Sequence, residues 1–283
     1  MRTNDLRPTS NVEDRRGGGG GFALGGIGLI IVVVVALYMG VDPAKLLDQI
    51  QNAIPPTQTA QQPQTAANAN DPDYQFARKI VGSAEDVWTP ILKARGVAFQ
   101  PATLTVYDQM TPTACGFGAS AMGPFYCPDD AHIYLDLRFF HELSDRFGAP
   151  GQFAQAYVIA HEFGHHIQAL TGTMAKVQGE MANADEAERN RLSVRLELQA
   201  DCYAGVWANR ANAQFRILQD GDVRDGLRAA SAVGDDTIEK KTQGEVVPDS
   251  FTHGTSAERV RWFRRGLAGG DMDQCDTFGA ASL

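Results

Sequence analysis

Residues 151–170, GQFAQAYVIAHEFGHHIQAL, constrain this chain more than any other stretch. They follow Pro150, a favoured residue at the start of a helix, and stop before Gly172. Phe153, Ala156, Tyr157, Ala160 and Phe163 recur at helical spacing, which predicts a buried helix. Inside it, His161, Glu162 and His165 form the pattern H-E-x-x-H. The four-residue step sets both imidazoles one turn apart on one face, where they can share a metal ion. Glu162 stands about 100° round the helix, able to reach a water at the ion without ligating it. In a chain of this composition the match has a chance expectation of about 0.005.

A catalytic zinc site normally takes three protein ligands and leaves one position open, so a third ligand must come from elsewhere. Residues 185–210, DEAERNRLSVRLELQADCYAGVWANR, predict a helix with a charged first half and an apolar second half. Glu197 and Asp201 lie four apart on one face of it. A carboxylate set among Leu196, Leu198 and Ala200 is costly to bury unless it meets a cation. That points to Glu197 as the third ligand, with Asp201 accepting the outer N–H of a ligand histidine. The competing reading is a surface Glu197 paired with Arg195 or Arg191. His132, His141 and His166 are read as non-ligands.

Ahead of these helices, Phe22–Gly40 runs 19 residues without a charge, long enough as a helix to span roughly 30 Å of hydrocarbon. It exceeds the usual apolar core of a cleaved signal peptide, so an uncleaved anchor is expected. Arg2, Arg7, Arg15 and Arg16 precede it, whereas Lys45 is the single basic residue between Gly40 and Asp73. This asymmetry predicts a cytoplasmic N-terminus and an exported remainder. The resulting division is a cytoplasmic tail at 1–21, a transmembrane helix at 22–40, a flexible linker at 41–72 and one catalytic domain at 73–283. The linker assignment rests on a run of Gln, Ala, Thr, Asn and Pro that buries too little to offset its ordering entropy.

All four cysteines, Cys115, Cys127, Cys202 and Cys275, fall in the exported part, which favours disulfides. Three connectivities are possible; the short Gly-rich loop between Cys115 and Cys127 suits local closure, leaving Cys202 with Cys275. The rival expectation is four buried thiols. Twenty-five Lys and Arg against 34 Asp and Glu give a net charge of −9, without the basic footprint that nucleic acid requires. A mean hydropathy of −0.24 excludes a polytopic membrane protein.

HEFGHH followed by ELQAD resembles the gluzincin pattern of metallopeptidases, H-E-x-x-H with a later E-x-x-x-D. The chain is most similar to the bacterial neutral zinc metallopeptidase family. The pieces that carry the likeness are NVEDRR at 11–16, YVIAHEFGHH at 157–166, ELQADCYAGVWA at 197–208, DSFTHGTSAERVRWFRRG at 249–266 and DQCDTF at 273–278. The resemblance implies a membrane anchor, a periplasmic zincin-like domain, one zinc ion per chain and hydrolysis of a peptide or protein substrate. Thr252-His253-Gly254 with Arg259 is similar to a T-H-P…R stretch of other membrane-associated gluzincins, which implies His253 as oxyanion stabiliser. Arg259 is read as a structural partner of Glu258 or Asp249.

The expected fold is α+β, helix-dominated, with a small antiparallel or mixed sheet. TLTVY at 103–107 and HIYLDL at 132–137 supply strands, and 74–94 and 257–267 supply further helices. The expected function is a membrane-anchored zinc endopeptidase at the inner membrane, with Glu162 as general base. The alternative is a membrane-tethered zinc-binding scaffold without turnover.

Overall fold

Asp71 opens the main body by accepting hydrogen bonds from the backbone N–H groups of Asp73 and Tyr74, with Pro72 in the first turn. A computed structural model gives the fold and describes residues 1–17, 69–242 and 246–283. In chain order the elements are β1 (Val12–Asp14), α1 (Pro72–Ala94), β2 (Thr103–Val106), β3 (Met110–Thr113), β4 (Gly116–Ala119), β5 (Phe125–Cys127) and β6 (His132–Leu135). They continue with α2 (Phe139–Asp145), α3 (Gln152–Leu170), α4 (Thr173–Met181), α5 (Glu186–Phe215), α6 (Asp222–Ala232), α7 (Asp235–Thr242) and α8 (Ser256–Gly269). The result is a helix-dominated α+β architecture, as the sequence predicts.

The two expected strands, β2 and β6, pair in parallel at the centre of a four-stranded sheet of order β1-β2-β6-β5. β5 runs antiparallel to β6 and forms one edge, so the sheet is mixed. β3 and β4 form a separate antiparallel hairpin. Leu104, Val106, Ile133 and Leu135 are buried and belong to the same core as helices α1, α3, α5, α6 and α8. In that core Phe153 stacks on Trp207 with ring centroids 6.2 Å apart, and Trp88 meets Tyr203 edge-on at 5.3 Å. The indole N–H of Trp207 donates to Ser83 Oγ at 3.0 Å, which ties α5 to α1 without orphaning a buried donor.

The N-terminal residues correct the reading of 1–21 as a tail. Residues 1–16 belong to the same compact unit as 66–283. Val12, Glu13 and Asp14 pair in parallel with Leu104, Thr105 and Val106. Leu6 is 4% exposed, and Thr9 is fully buried. Glu85 on α1 accepts from Thr9 Oγ1 at 2.6 Å and from Arg7 Nη2 at 2.8 Å. Arg16 bonds Asp14 at 2.7 Å and also reaches Asp71. A three-residue edge strand reading Val-Glu-Asp is too short and too charged to announce itself, although those properties protect an edge from stray pairing. The apolar stretch 22–40 and residues 41–68 of the linker lie outside the described residues. Among the described residues no helix is long and apolar enough to cross a membrane.

Replacing Leu6 by alanine should destabilise the body by about 2–5 kcal/mol, the usual cost of emptying a buried leucine site. Thermal melting of the full chain reads this directly, and an unchanged melting temperature would detach residues 1–16 from the folded unit.

Candidate metal centre

Two helices meet where the sequence places its carboxylates and imidazoles. α3 carries His161, Glu162 and His165, and α5 carries Glu197 and Asp201. α5 starts at Asp185, whose side chain caps the N–H of Glu188. Gly164 faces Ala200, and a Cβ there would lie 3.0 Å from the Ala200 carbonyl oxygen. The glycine inside the motif therefore lets the two helices close at the level of the ligands.

His161 Nε2 lies 3.1 Å from Glu197 Oε2, and His165 Nε2 lies 3.3 Å from Glu197 Oε1. One donor atom from each of His161, His165 and Glu197 falls within 4.8 Å of the others. Two imidazole nitrogens and one carboxylate form a donor set suited to zinc with a position left open. The outer nitrogens support that fit. His161 Nδ1 donates to Asp201 Oδ1 at 2.9 Å, and His165 Nδ1 donates to Gln168 Oε1 at 2.9 Å. Each ring thus turns its Nε2 inward. Gln168 was not singled out from the sequence, although its position three residues after His165 is the signal that marks it. The pairing of Glu197 with Arg195 or Arg191 does not form: Arg191 bonds Glu188, and Arg195 donates to the Thr277 carbonyl.

Arg259 corrects its expected partnership with Glu258 or Asp249. Its side chain is buried and forks onto Asp201, with Nε to Oδ2 at 2.8 Å and Nη2 to Oδ1 at 3.1 Å. Nη1 donates to the Val233 carbonyl at 3.1 Å. Glu258 instead completes a capping box with Thr255 at the start of α8. α8 reaches this position because Gly266 abuts α5, where a Cβ would lie 1.9 Å from the Cys202 carbonyl oxygen. Tyr157 also donates its hydroxyl to Asp201. Burial works against a charged Asp201, but Arg259 and His161 together outweigh it and hold the carboxyl below its ordinary range.

A cleft of about 1040 Å³ opens over these residues, with His161, Glu162, His165, Glu197, His253 and Arg259 in its wall. Burial raises the carboxyl pKa of Glu162, with the two histidines opposing. His253 sits on the loop before α8 with its side chain half exposed. Asp235, which the sequence reading missed, holds that loop. Its Oδ2 accepts from the backbone N–H groups of Thr252, His253 and Gly254 at 2.8, 2.6 and 3.0 Å. Its Oδ1 receives His253 Nδ1 at 3.0 Å, which raises the imidazole pKa. His166 lies outside the cluster, between the Gln100 carbonyl and the Tyr126 hydroxyl. His132 bonds Thr105, away from the cluster.

Both disulfides form with the expected connectivity, Cys115–Cys127 and Cys202–Cys275, and no cysteine among the described residues is free. The first closes the β3–β4 hairpin onto β5. The second joins α5, one residue after Asp201, to the segment beyond α8.

Comparison with known proteins gives a match over residues 1–278 to the family described as "Putative neutral zinc metallopeptidase". Similar proteins include YpfJ of Escherichia coli, 46% identical over 99% of both chains. Another is Rv2575 of Mycobacterium tuberculosis, 40% identical over 88% of this chain and 86% of its own length. Both carry the description "uncharacterized". No solved structure gives a significant match.

In the metal-free protein, burial opposes a charge on His161, but Asp201 and Glu197 outweigh it and push the imidazole up to about 10. At pH 8 that ring therefore carries a proton, whereas a metal ligand must be neutral. Zinc binding at pH 8 should release about one proton from this ring. Calorimetry in buffers of differing ionisation enthalpy measures the number, and an apparent enthalpy independent of buffer would contradict the assignment.

Proposed function

The chain belongs to the neutral zinc metallopeptidase family, and on that footing we propose that it is a membrane-associated, zinc-dependent endopeptidase with a zincin-like catalytic arrangement. The observation that carries the reading is Glu162. It lies in the cleft wall beside both histidines, 8% exposed, and burial raises its proton affinity. A purely structural metal site has no use for such a carboxylate.

His161, His165 and Glu197 would hold the metal. Zinc, when bound, supplies Lewis acidity toward a peptide carbonyl and toward water. Asp201 and Gln168 keep the two imidazoles in the ligating tautomer by accepting their Nδ1 protons. Glu162 takes the proton of the attacking water at its carboxylate and delivers it to the leaving amine nitrogen. His253, held by Asp235 at the cleft wall, donates a hydrogen bond to the oxyanion. β5 is a sheet edge whose Phe125 and Tyr126 line the same cleft. Its main chain is placed to hold an extended peptide by strand addition.

For localisation, we place residues 1–16 and the catalytic body together on the oxidising side of the membrane, the side on which two disulfides persist. A single crossing between Gly17 and Asp71 would set β1 and β2 on opposite faces, whereas their pairing requires one face for both. Membrane association through residues 22–40 is therefore proposed without that separation.

Two experiments test these readings. Full-length chain loaded with zinc should cleave unfolded proteins in a chelator-sensitive manner. Glu162→Gln should retain one zinc while losing at least about 10²-fold in turnover, the scale of a general base. One bound zinc with no cleavage by either protein would favour the scaffold role instead. For topology, single cysteines placed at the exposed positions Ser10 and Ser282 should react alike with a membrane-impermeant maleimide in spheroplasts. Labelling of Ser282→Cys alone would restore the two-sided arrangement.

A further inference from the structure

Behind His165 a chain of buried amides runs out of the metal centre into the C-terminal segment. His165 Nδ1 meets Gln168 Oε1 at 2.9 Å. Gln168 Nε2 donates to the Leu196 carbonyl at 2.8 Å and to Gln199 Oε1 at 3.1 Å. Gln199 Nε2 donates in turn to the Cys275 carbonyl at 3.0 Å. Gln168 is fully buried and Gln199 is 6% exposed, so neither amide can trade these partners for water at little cost.

The polarity of this chain is fixed by its ends. The Leu196 and Cys275 carbonyls can only accept, which forces an amide nitrogen toward each of them. Gln199 must then present its oxygen to Gln168, and Gln168 must present its oxygen to His165. An oxygen at that point requires a proton on His165 Nδ1, so that Nε2, which faces Glu197, is the nitrogen left to ligate a metal. Gln168 also grips the carbonyl immediately before Glu197, so one side chain sets the orientation of one ligand and the backbone beside another. The far end is anchored covalently, because Cys275 is bonded to Cys202 on α5. Arg195 and Thr277 add a second clasp, in which Thr277 Oγ1 donates to the Arg195 carbonyl at 2.7 Å.

We propose that Gln168 and Gln199 are positioning residues of the metal centre, and that through them the disulfide-anchored segment around Cys275 sets zinc affinity. The proposal rests on His161, His165 and Glu197 being the ligands. A purely structural pair of glutamines would hold α3 against α5 but would not couple the two side chains in metal binding.

The test is a double-mutant cycle on the full chain, using zinc and a competing chelator to read the dissociation constant. Gln168→Met, close in volume, should weaken zinc binding by about 10- to 100-fold, the range for an outer partner of a ligand. Gln199→Met touches no ligand and should weaken it by about tenfold. The double variant should bind zinc no more weakly than Gln168→Met alone, because the relay is already cut. Melting of the metal-free variants separates loss of fold from loss of affinity. The His165 Nδ1–H proton resonance should exchange faster with solvent in zinc-loaded Gln199→Met. An unchanged dissociation constant for Gln199→Met, or effects that add in the double variant, would overturn the relay. Absence of zinc binding by the wild-type chain would overturn the ligand assignment itself and the relay with it.

Discussion

Asp201 and Arg259 form an ion pair with 0% and 4% side-chain exposure, and the arrangement of the metal centre depends on it. Removing both charges from water is expensive, and only good geometry with further hydrogen bonds offsets that cost. Asp201 meets the condition by accepting from His161, Tyr157 and both faces of the Arg259 fork. Those donors lie on α3 and α8, so one carboxylate on α5 fixes the mutual positions of three helices. Breaking such a pair by removing one partner typically costs about 3–5 kcal/mol, because the other charge is left buried and alone. The Arg259 contact with the Val233 carbonyl carries the same constraint to the turn before α7. Asp235 and the His253 loop follow directly from that turn.

Within this frame, environment assigns different roles to chemically similar groups. Glu197 faces two imidazoles, which outweigh its burial and hold its carboxyl well below the ordinary value. Glu162, one residue from His161, is dominated by burial and moves in the opposite direction. One carboxylate is therefore suited to hold a cation and the other to carry a proton. The same division appears among the histidines. His161 and His165 have their outer nitrogens engaged by acceptors and their inner nitrogens converging, whereas both nitrogens of His166 are committed to Gln100 and Tyr126.

The body is assembled from distant parts of the chain. Residues 1–16 supply a sheet edge, 152–170 and 186–215 supply the candidate ligands, and the segment at 275 buttresses them from behind. The Cys202–Cys275 disulfide and the ion pairs of Arg7, Arg16 and Arg259 join segments far apart in the chain. That is why the Val12–Asp14 strand read as a tail and why Arg259 was assigned to its neighbours in sequence.

The sequence by itself determined the helices that carry His161, Glu162, His165, Glu197 and Asp201, because apolar spacing and capping residues act within a few turns. It also determined which face each of those residues occupies, since helical periodicity leaves no other choice, and the short loop between Cys115 and Cys127 pointed to their pairing. Strands β2 and β6 were legible for the same local reason, as β-branched and aromatic runs. Tertiary structure alone decided that Asp201 is shared between His161 and Arg259, that Gln168 and Gln199 stand behind His165, and that Asp235 holds the loop of His253. In the same buried network Arg259 also donates to the Tyr157 hydroxyl, 102 positions away in the chain. The formation of these contacts depends on helix approach at Gly164 and Gly266, a distance in space that no periodicity along the chain encodes.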